Sequence, residues 1–235
     1  MARPPRISRP SYPHHVIQRG NNRQPIFFEE KDHEVFLDCL REAKRTCHVR
    51  LYAYVLMTNH VHLLLEPEHA GDLGRFMQNV GRRYVRYMND THARTGTLWE
   101  GRFKSAVVSR DEYVIMCSRY IELNPVRAGM VRHPRDYRWS SYHRRALGRP
   151  DDLLDEDPWY VSLGNTAAER AQAYADWLET SVAAKGWDHI RNATQQGRVV
   201  GSDSFQDEIG SSVGRRLKGE TRGRPKRVVR SEIAL

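Results

Sequence analysis

Cysteine is scarce in this chain and poorly spaced for cross-linking. Cys39, Cys47 and Cys117 are odd in number and lack the close pairing of metal-binding thiols, which argues against a disulfide framework or a Cys-only zinc cluster. They read as reduced thiols. Long apolar runs are also missing: nothing approaches the roughly 20 residues of a membrane span, and the opening MARPPRISRPSYP carries positive charge without the apolar stretch of a signal peptide. The expected location is the cytoplasm. Acidic residues are in deficit, 29 Asp and Glu against 38 Lys and Arg, giving a net charge of +9 and a pI near 9.7. A surplus of that size most commonly serves a polyanionic partner, nucleic acid above all.

What is present has a clear order. HHVIQR alternates like a strand and is stopped by the turn residues of GNNRQP. EEKDHEVFLDCLREAKRTC then places Val35, Phe36, Cys39, Leu40 and Ala43 at helical spacing. VRLYAYVLM is rich in β-branched and aromatic residues, and Thr58-Asn59 forms a turn into a further strand, HVHLLLE. A helix is expected from about Leu73 to Met88, with Leu73, Phe76, Val80, Tyr84 and Tyr87 on one side and Arg75, Arg82, Arg83 and Arg86 on the other. GRFKSAVVS reads as a fourth strand, and Asp111 can cap a helix that ends near Pro125. The order β-α-β-β-α-β-α predicts an α+β fold: a ferredoxin-like antiparallel sheet with helices on one face, within residues 1–147. Residues 148–217 read as a helical extension with a capacity for DNA binding, and residues 218–235 as a basic tail.

The chemistry concentrates in two places. Residues two apart in a strand point the same way, so His60 and His62 share a face while Val61, Leu63 and Leu65 take the other. With 11 histidines in the chain, about half such a pair arises by chance; two imidazoles satisfied by hydrogen bonds and two imidazoles sharing a cation both fit. In CSRYIELNPVRAG, Tyr120 and Asn124 lie one helical turn apart, presenting a phenol and an amide together. Two neutral imidazoles with one amide oxygen would suit Mg²⁺ or Mn²⁺, with positions left for water and phosphate oxygens. A core tyrosine on an amphipathic helix is the competing reading of Tyr120.

YVLMTNHVHLLL, GTLWEGRFKS and YIELNPVRAGMV followed by WSSY resemble the REP-associated tyrosine transposases, single-tyrosine members of the HUH nucleases and of the IS200-like transposases. The resemblance spans about residues 10 to 145, with the motifs in the right order. It implies a bacterial, nucleoid-associated enzyme that cleaves and rejoins single-stranded or hairpin DNA, with His60, His62 and Asn124 as metal ligands and Tyr120 as nucleophile. The product of attack would be a 5′-phosphotyrosine and a free 3′-OH, on REP-type palindromic DNA, by a monomer or homodimer. Tyr113 lies two turns before Tyr120 but lacks a polar partner at the matching position. Arg19, Arg82, Arg83, Arg86, Arg102 and Lys104 are candidates for phosphate contacts, with Trp99 and Phe103 for base stacking. RGRPKR, containing Arg222, Arg224 and Arg227, resembles an AT-hook for A·T-rich duplex. Two other classes stay open: a non-catalytic DNA-binding repressor or architectural factor on the same fold, and a structural zinc site joining the histidines to Cys47 or Cys117.

Overall fold

The computed structural model describes residues 6–110, 112–179, 187–214 and 217. Strand β1 (His14–Arg19) leads to helix α1 (Glu30–Thr46), the hairpin β2 (Val49–Met57) and β3 (His60–Pro67), helix α2 (Asp72–Thr91) and strand β4 (Lys104–Val108). Helices α3 (Glu112–Glu122), α4 (Asn124–Arg127) and α5 (Tyr142–Arg145) follow; Asp111, expected to cap α3, is outside the described residues. The strand order β2-β3-β1-β4 is the antiparallel ferredoxin-like order expected from the sequence.

Period-two patterning decides which layer each side chain enters. Val61, Leu63 and Leu65 of β3 join Val16, Leu51, Tyr54 and Leu56 under α1 and α2. A bulge between Leu51 and Ala53 lets β2 place both Tyr52 and Ala53 on the opposite face without losing Tyr54 from the first. The α1 N-terminus is held by Asp32, whose carboxylate accepts from the backbone N–H of Phe28 and Glu29, the Tyr87 hydroxyl and His92 Nε2. At the end of β1 a side chain on Gly20 would collide with the Gln24 carbonyl and Ile26, so only glycine lets the chain fold back there.

The face opposite α1 and α2 is also covered. Helix α3 packs on it through Val114, Cys117, Tyr120 and Ile121, and so does a helix from far along the chain, α8 (Trp187–Gln196), through Ile190 and Ala193. The rest of 148–217 comprises α6 (Pro158–Ser162), α7 (Ala167–Glu179), a two-residue strand β5 (Val199–Val200) and α9 (Asp203–Ser212). Strand β5 adds to β4 in parallel, and α9 buries Phe205 and Ile209 against Val107 and Val199. The extension is therefore helical but not separate. Two residues of strand are too few for an alternation pattern to show in the sequence.

Candidate active site

Strand β3 places His60 and His62 on the face beneath α3 and α8, and α3 lays Tyr120 against them. The His60 and His62 rings are 4.9 Å apart, and the Tyr120 ring stands edge-on at 5.6 Å from His62 and 5.5 Å from His15. Tyr120 is buried, and its hydroxyl has no hydrogen-bond partner among the described residues. Asn124 does not continue α3 as the sequence suggested: Leu123 interrupts the helix before Pro125, and Asn124 opens α4. The one-turn relation to Tyr120 survives because the Asn124 amide nitrogen donates to the Tyr120 carbonyl at 2.8 Å. That bond consumes the amide nitrogen and leaves the oxygen, the ligating atom, for other use.

The histidine protons can be assigned. His60 Nδ1 lies 2.7 Å from the Asn59 side-chain oxygen, and the Asn59 amide nitrogen donates to the Arg23 carbonyl, which fixes the orientation of that amide. An amide oxygen only accepts, so His60 carries its proton on Nδ1 and presents a bare Nε2. His62 Nδ1 is likewise engaged, 2.8 Å from His15 Nε2. Neither Nε2 atom of the pair has a protein partner among the described residues. Burial is the main cause that brings His60 down to about 4 and His15 to about 3, and it holds His62 well below the ordinary histidine range; Arg19 lowers His60 further. Neutral imidazoles follow at physiological pH, the form a cation needs. The bare Nε2 of His60, a His62 Nε2 that no protein group meets among the described residues and an amide oxygen are donors of the kind that suit a divalent ion with mixed nitrogen and oxygen ligands.

Two rival sites fare worse. Glu29, Asp32 and His92 form the one cluster of three potential ligands among the described residues. The Asp32 oxygens already accept four hydrogen bonds, and the cluster lies at the start of α1, away from Tyr120. Cys47 is buried in the opposite core layer from the histidines. Cys117 is buried in the histidine-side layer, its thiol pushed up by burial, and no three-ligand cluster among the described residues includes it.

Three residues at this centre escaped the sequence reading. Arg127 stacks its guanidinium between the rings of Tyr120 (4.7 Å) and Trp187 (4.4 Å), a fixed positive charge beside the phenol. His15 and Thr194 lie behind His62, with 2.7 Å between His15 Nδ1 and the Thr194 hydroxyl. Arg127 was visible as the cation three residues beyond Asn124, and His15 as a polar residue in a strand; Thr194 has no local signal.

Of the proposed phosphate contacts, Arg82, Arg86 and Arg102 line a groove of about 820 Å³ along α2, together with Arg75, Trp99 and Phe103. Gln18, Gly101 and Arg102 also border a smaller recess on β1 and β4 that includes Arg19 and Lys104, where Ile17 and Arg19 pair across the sheet with His62 and His60. Arg83 is not part of either; it is exposed on α2, and its charge reaches the buried Cys39 thiol of α1. Trp99 and Phe103 are half-buried against the core as well as lining the groove. Arg222, Arg224 and Arg227 lie outside the described residues. No helix among the described residues is long and apolar enough to cross a membrane.

Comparison with known proteins bears on the fold. The structure of a REP-associated tyrosine transposase bound to a REP hairpin superposes with a TM-score of 0.55 at 18% identity, over 66% of this chain and 95% of that one. A proposed transposase from Deinococcus radiodurans R1 gives a TM-score of 0.36 at 23% identity, over 52% of this chain and 96% of that one. No curated protein matches the chain. The family model of the IS200-like transposases matches residues 9–124, from just before β1 through Asn124. Residues 9–124 thus form an IS200-like transposase domain.

Proposed function

We propose that this chain cleaves and rejoins single-stranded DNA through a covalent 5′-phosphotyrosine on Tyr120, with Mg²⁺ or Mn²⁺ held by His60, His62 and Asn124. The observation that carries this reading is the Tyr120 ring standing edge-on to His62, with His60 beside it and neither Nε2 atom of the pair met by a protein partner among the described residues. A bound divalent ion would draw charge from a non-bridging phosphate oxygen and make the phosphorus more electrophilic. Tyr120 Oη attacks phosphorus, forming the P–O bond to tyrosine as the bond to the 3′ oxygen breaks; the phenol loses its proton and the leaving strand gains a 3′-OH. One phosphodiester replaces another, so a DNA 3′-OH can later reverse the step without ATP. Arg127 faces the developing charge from the tyrosine side.

The substrate reading rests on the basic groove. Arg75, Arg82 and Arg86 span about 16 Å of α2, and the groove passes Gln18 and Arg102 to the recess on β1 and β4. Strand β5 pairs only with Val107 and Val108, leaving the Lys104 end of β4 without a ladder partner on that side among the described residues. An unpaired strand could run along this path, phosphates on arginine and bases against Trp99 and Phe103. The solved relative's REP hairpin makes a palindromic hairpin the first substrate to try.

Incubating end-labelled hairpin DNA with protein and Mn²⁺, then resolving products on a denaturing gel, tests the reading. A cleaved strand and a protein-linked fragment are expected, both lost in EDTA; tight binding with no cleavage in any metal would favour a DNA-binding repressor instead. His60→Ala or His62→Ala should abolish the metal-dependent product. Asn124→Ala should be milder, because water can replace an amide oxygen.

The tail gives a separate expectation. If Arg222, Arg224 and Arg227 enter an A·T-rich minor groove, truncation after Leu217 leaves cleavage of a saturating short single strand intact. Affinity for A·T-rich duplex should fall more than for G·C-rich duplex, with the salt slope shallower by about 0.9 for each phosphate that is no longer neutralised. Equal reductions on both duplexes would make the tail an unspecific basic arm.

A further inference from the structure

A chain of hydrogen bonds runs from α8 to His62, and its direction is determined at its far end. The Thr194 hydroxyl donates its single proton to the Ile190 carbonyl at 2.9 Å, one turn back in α8. With that proton spent, the Thr194 oxygen can only accept from His15 Nδ1, 2.7 Å away. A neutral His15 protonated on Nδ1 has a bare Nε2, which accepts from His62 Nδ1 at 2.8 Å. His62 is thereby left with a lone pair on Nε2. Reversing the chain would have Thr194 donate to His15, His15 donate from Nε2, and His62 carry its proton on Nε2, where it could bind no cation. Thr194 and His15 are both fully buried, so water cannot substitute for either partner.

We propose that Thr194 and His15 are positioning residues that set the tautomer of His62, making α8 a working part of the metal site. This rests on the reading of His62 as a ligand, yet it turns on a residue the family model does not reach: the match ends at Asn124, and Thr194 comes 70 residues later. The extension would then do more than cover the sheet. Outer partners of metal-binding histidines commonly govern affinity by about 10–100-fold when removed.

The test uses the full-length protein and two readouts. Nitrogen-15 NMR of metal-free protein should show His62 with Nε2 unprotonated, and Thr194→Val, close to threonine in shape, should shift His62 toward the other tautomer. Mn²⁺ affinity measured without DNA should fall by about 10-fold or more in Thr194→Val and recover in Thr194→Ser, which restores the hydroxyl. Thermal unfolding of each variant separates these effects from a loss of folding; if Thr194→Val does not fold, His15→Asn, which changes the partner while keeping a polar group, carries the same comparison. A folded Thr194→Val with unchanged tautomer and unchanged Mn²⁺ affinity overturns the relay while leaving the metal site standing; a wild-type His62 protonated on Nε2 overturns the relay whether or not Mn²⁺ binds. Wild-type protein that binds no Mn²⁺, or binds it equally well as His62→Ala, overturns the metal reading itself, and the relay's role with it.

Discussion

Tyr120→Phe is expected to eliminate both strand cleavage and the covalent adduct while leaving hairpin affinity within about twofold. The substitution removes one oxygen from a ring that packs against His15, His62 and the Arg127 guanidinium, so the ring and its packing stay. The hydroxyl has no protein partner among the described residues, and its removal strands no buried donor or acceptor. Loss of a nucleophile from a group that acts as a unit costs up to about 10⁶ in rate, which on a gel is complete. Tyr113→Phe is the control. Tyr113 packs at the edge of the same cluster, and cleavage lost there but kept in Tyr120→Phe would show that the wrong phenol had been chosen.

The largest stability effect is expected at Arg145. Its guanidinium is buried between the rings of Tyr160 (4.9 Å) and Tyr174 (4.7 Å), donates to the Tyr52 carbonyl at 2.9 Å and lies 3.0 Å from Asp157 Oδ2. Asp157 also accepts from the Tyr160 backbone N–H at the start of α6. Close by, Glu122 accepts from Ser141 (2.6 Å) and Tyr174 (2.8 Å), its carboxyl pushed up by burial. This arrangement joins α3, α5, α6 and α7 to strand β2. Arg145→Met fills similar volume but leaves Asp157 charged, buried and unpaired, which costs about 3–5 kcal/mol and lowers the melting temperature by roughly 6–20 °C. Adding Asp157→Asn should recover part of the loss, since the amide oxygen still caps α6 and the stranded charge is gone. Urea unfolding of the single and double variants gives the comparison. Arg145 Nε and Nη2 have no hydrogen-bond partner among the described residues, so the opposite outcome has a physical basis: an Arg145→Met protein as stable as the parent would mean that those unmet donors cost as much as the pair contributes.

Glu122 illustrates how one motif divides between chemistry and architecture. Within YIELNPVRAG, Tyr120, Asn124 and Arg127 face the histidines or one another, whereas Glu122 points into the network with Ser141 and Tyr174. Ser141 belongs to WSSY and also accepts from the Tyr54 backbone N–H in β2 (3.1 Å). The motifs that marked the family therefore include residues whose role is to hold α3 against the sheet.

Local pattern was enough for the four-stranded sheet, the helices α1 and α2, and the pairing of His60 with His62, because strand alternation and helical periodicity are set by neighbours along the chain. It was enough for Tyr120 beside Asn124 for the same reason, even though the helix between them breaks at Leu123. Other features depend on contacts between distant segments, which periodicity does not encode. Only the tertiary structure brings Thr194 to His15 across 179 positions, adds β5 to β4, leaves Arg83 out of the groove and sets Arg127 between Tyr120 and Trp187. The proton direction at His62 is of this kind: a histidine's tautomer is chosen by what its far nitrogen meets, and here that choice is made by a threonine whose own neighbours in sequence give no sign of it.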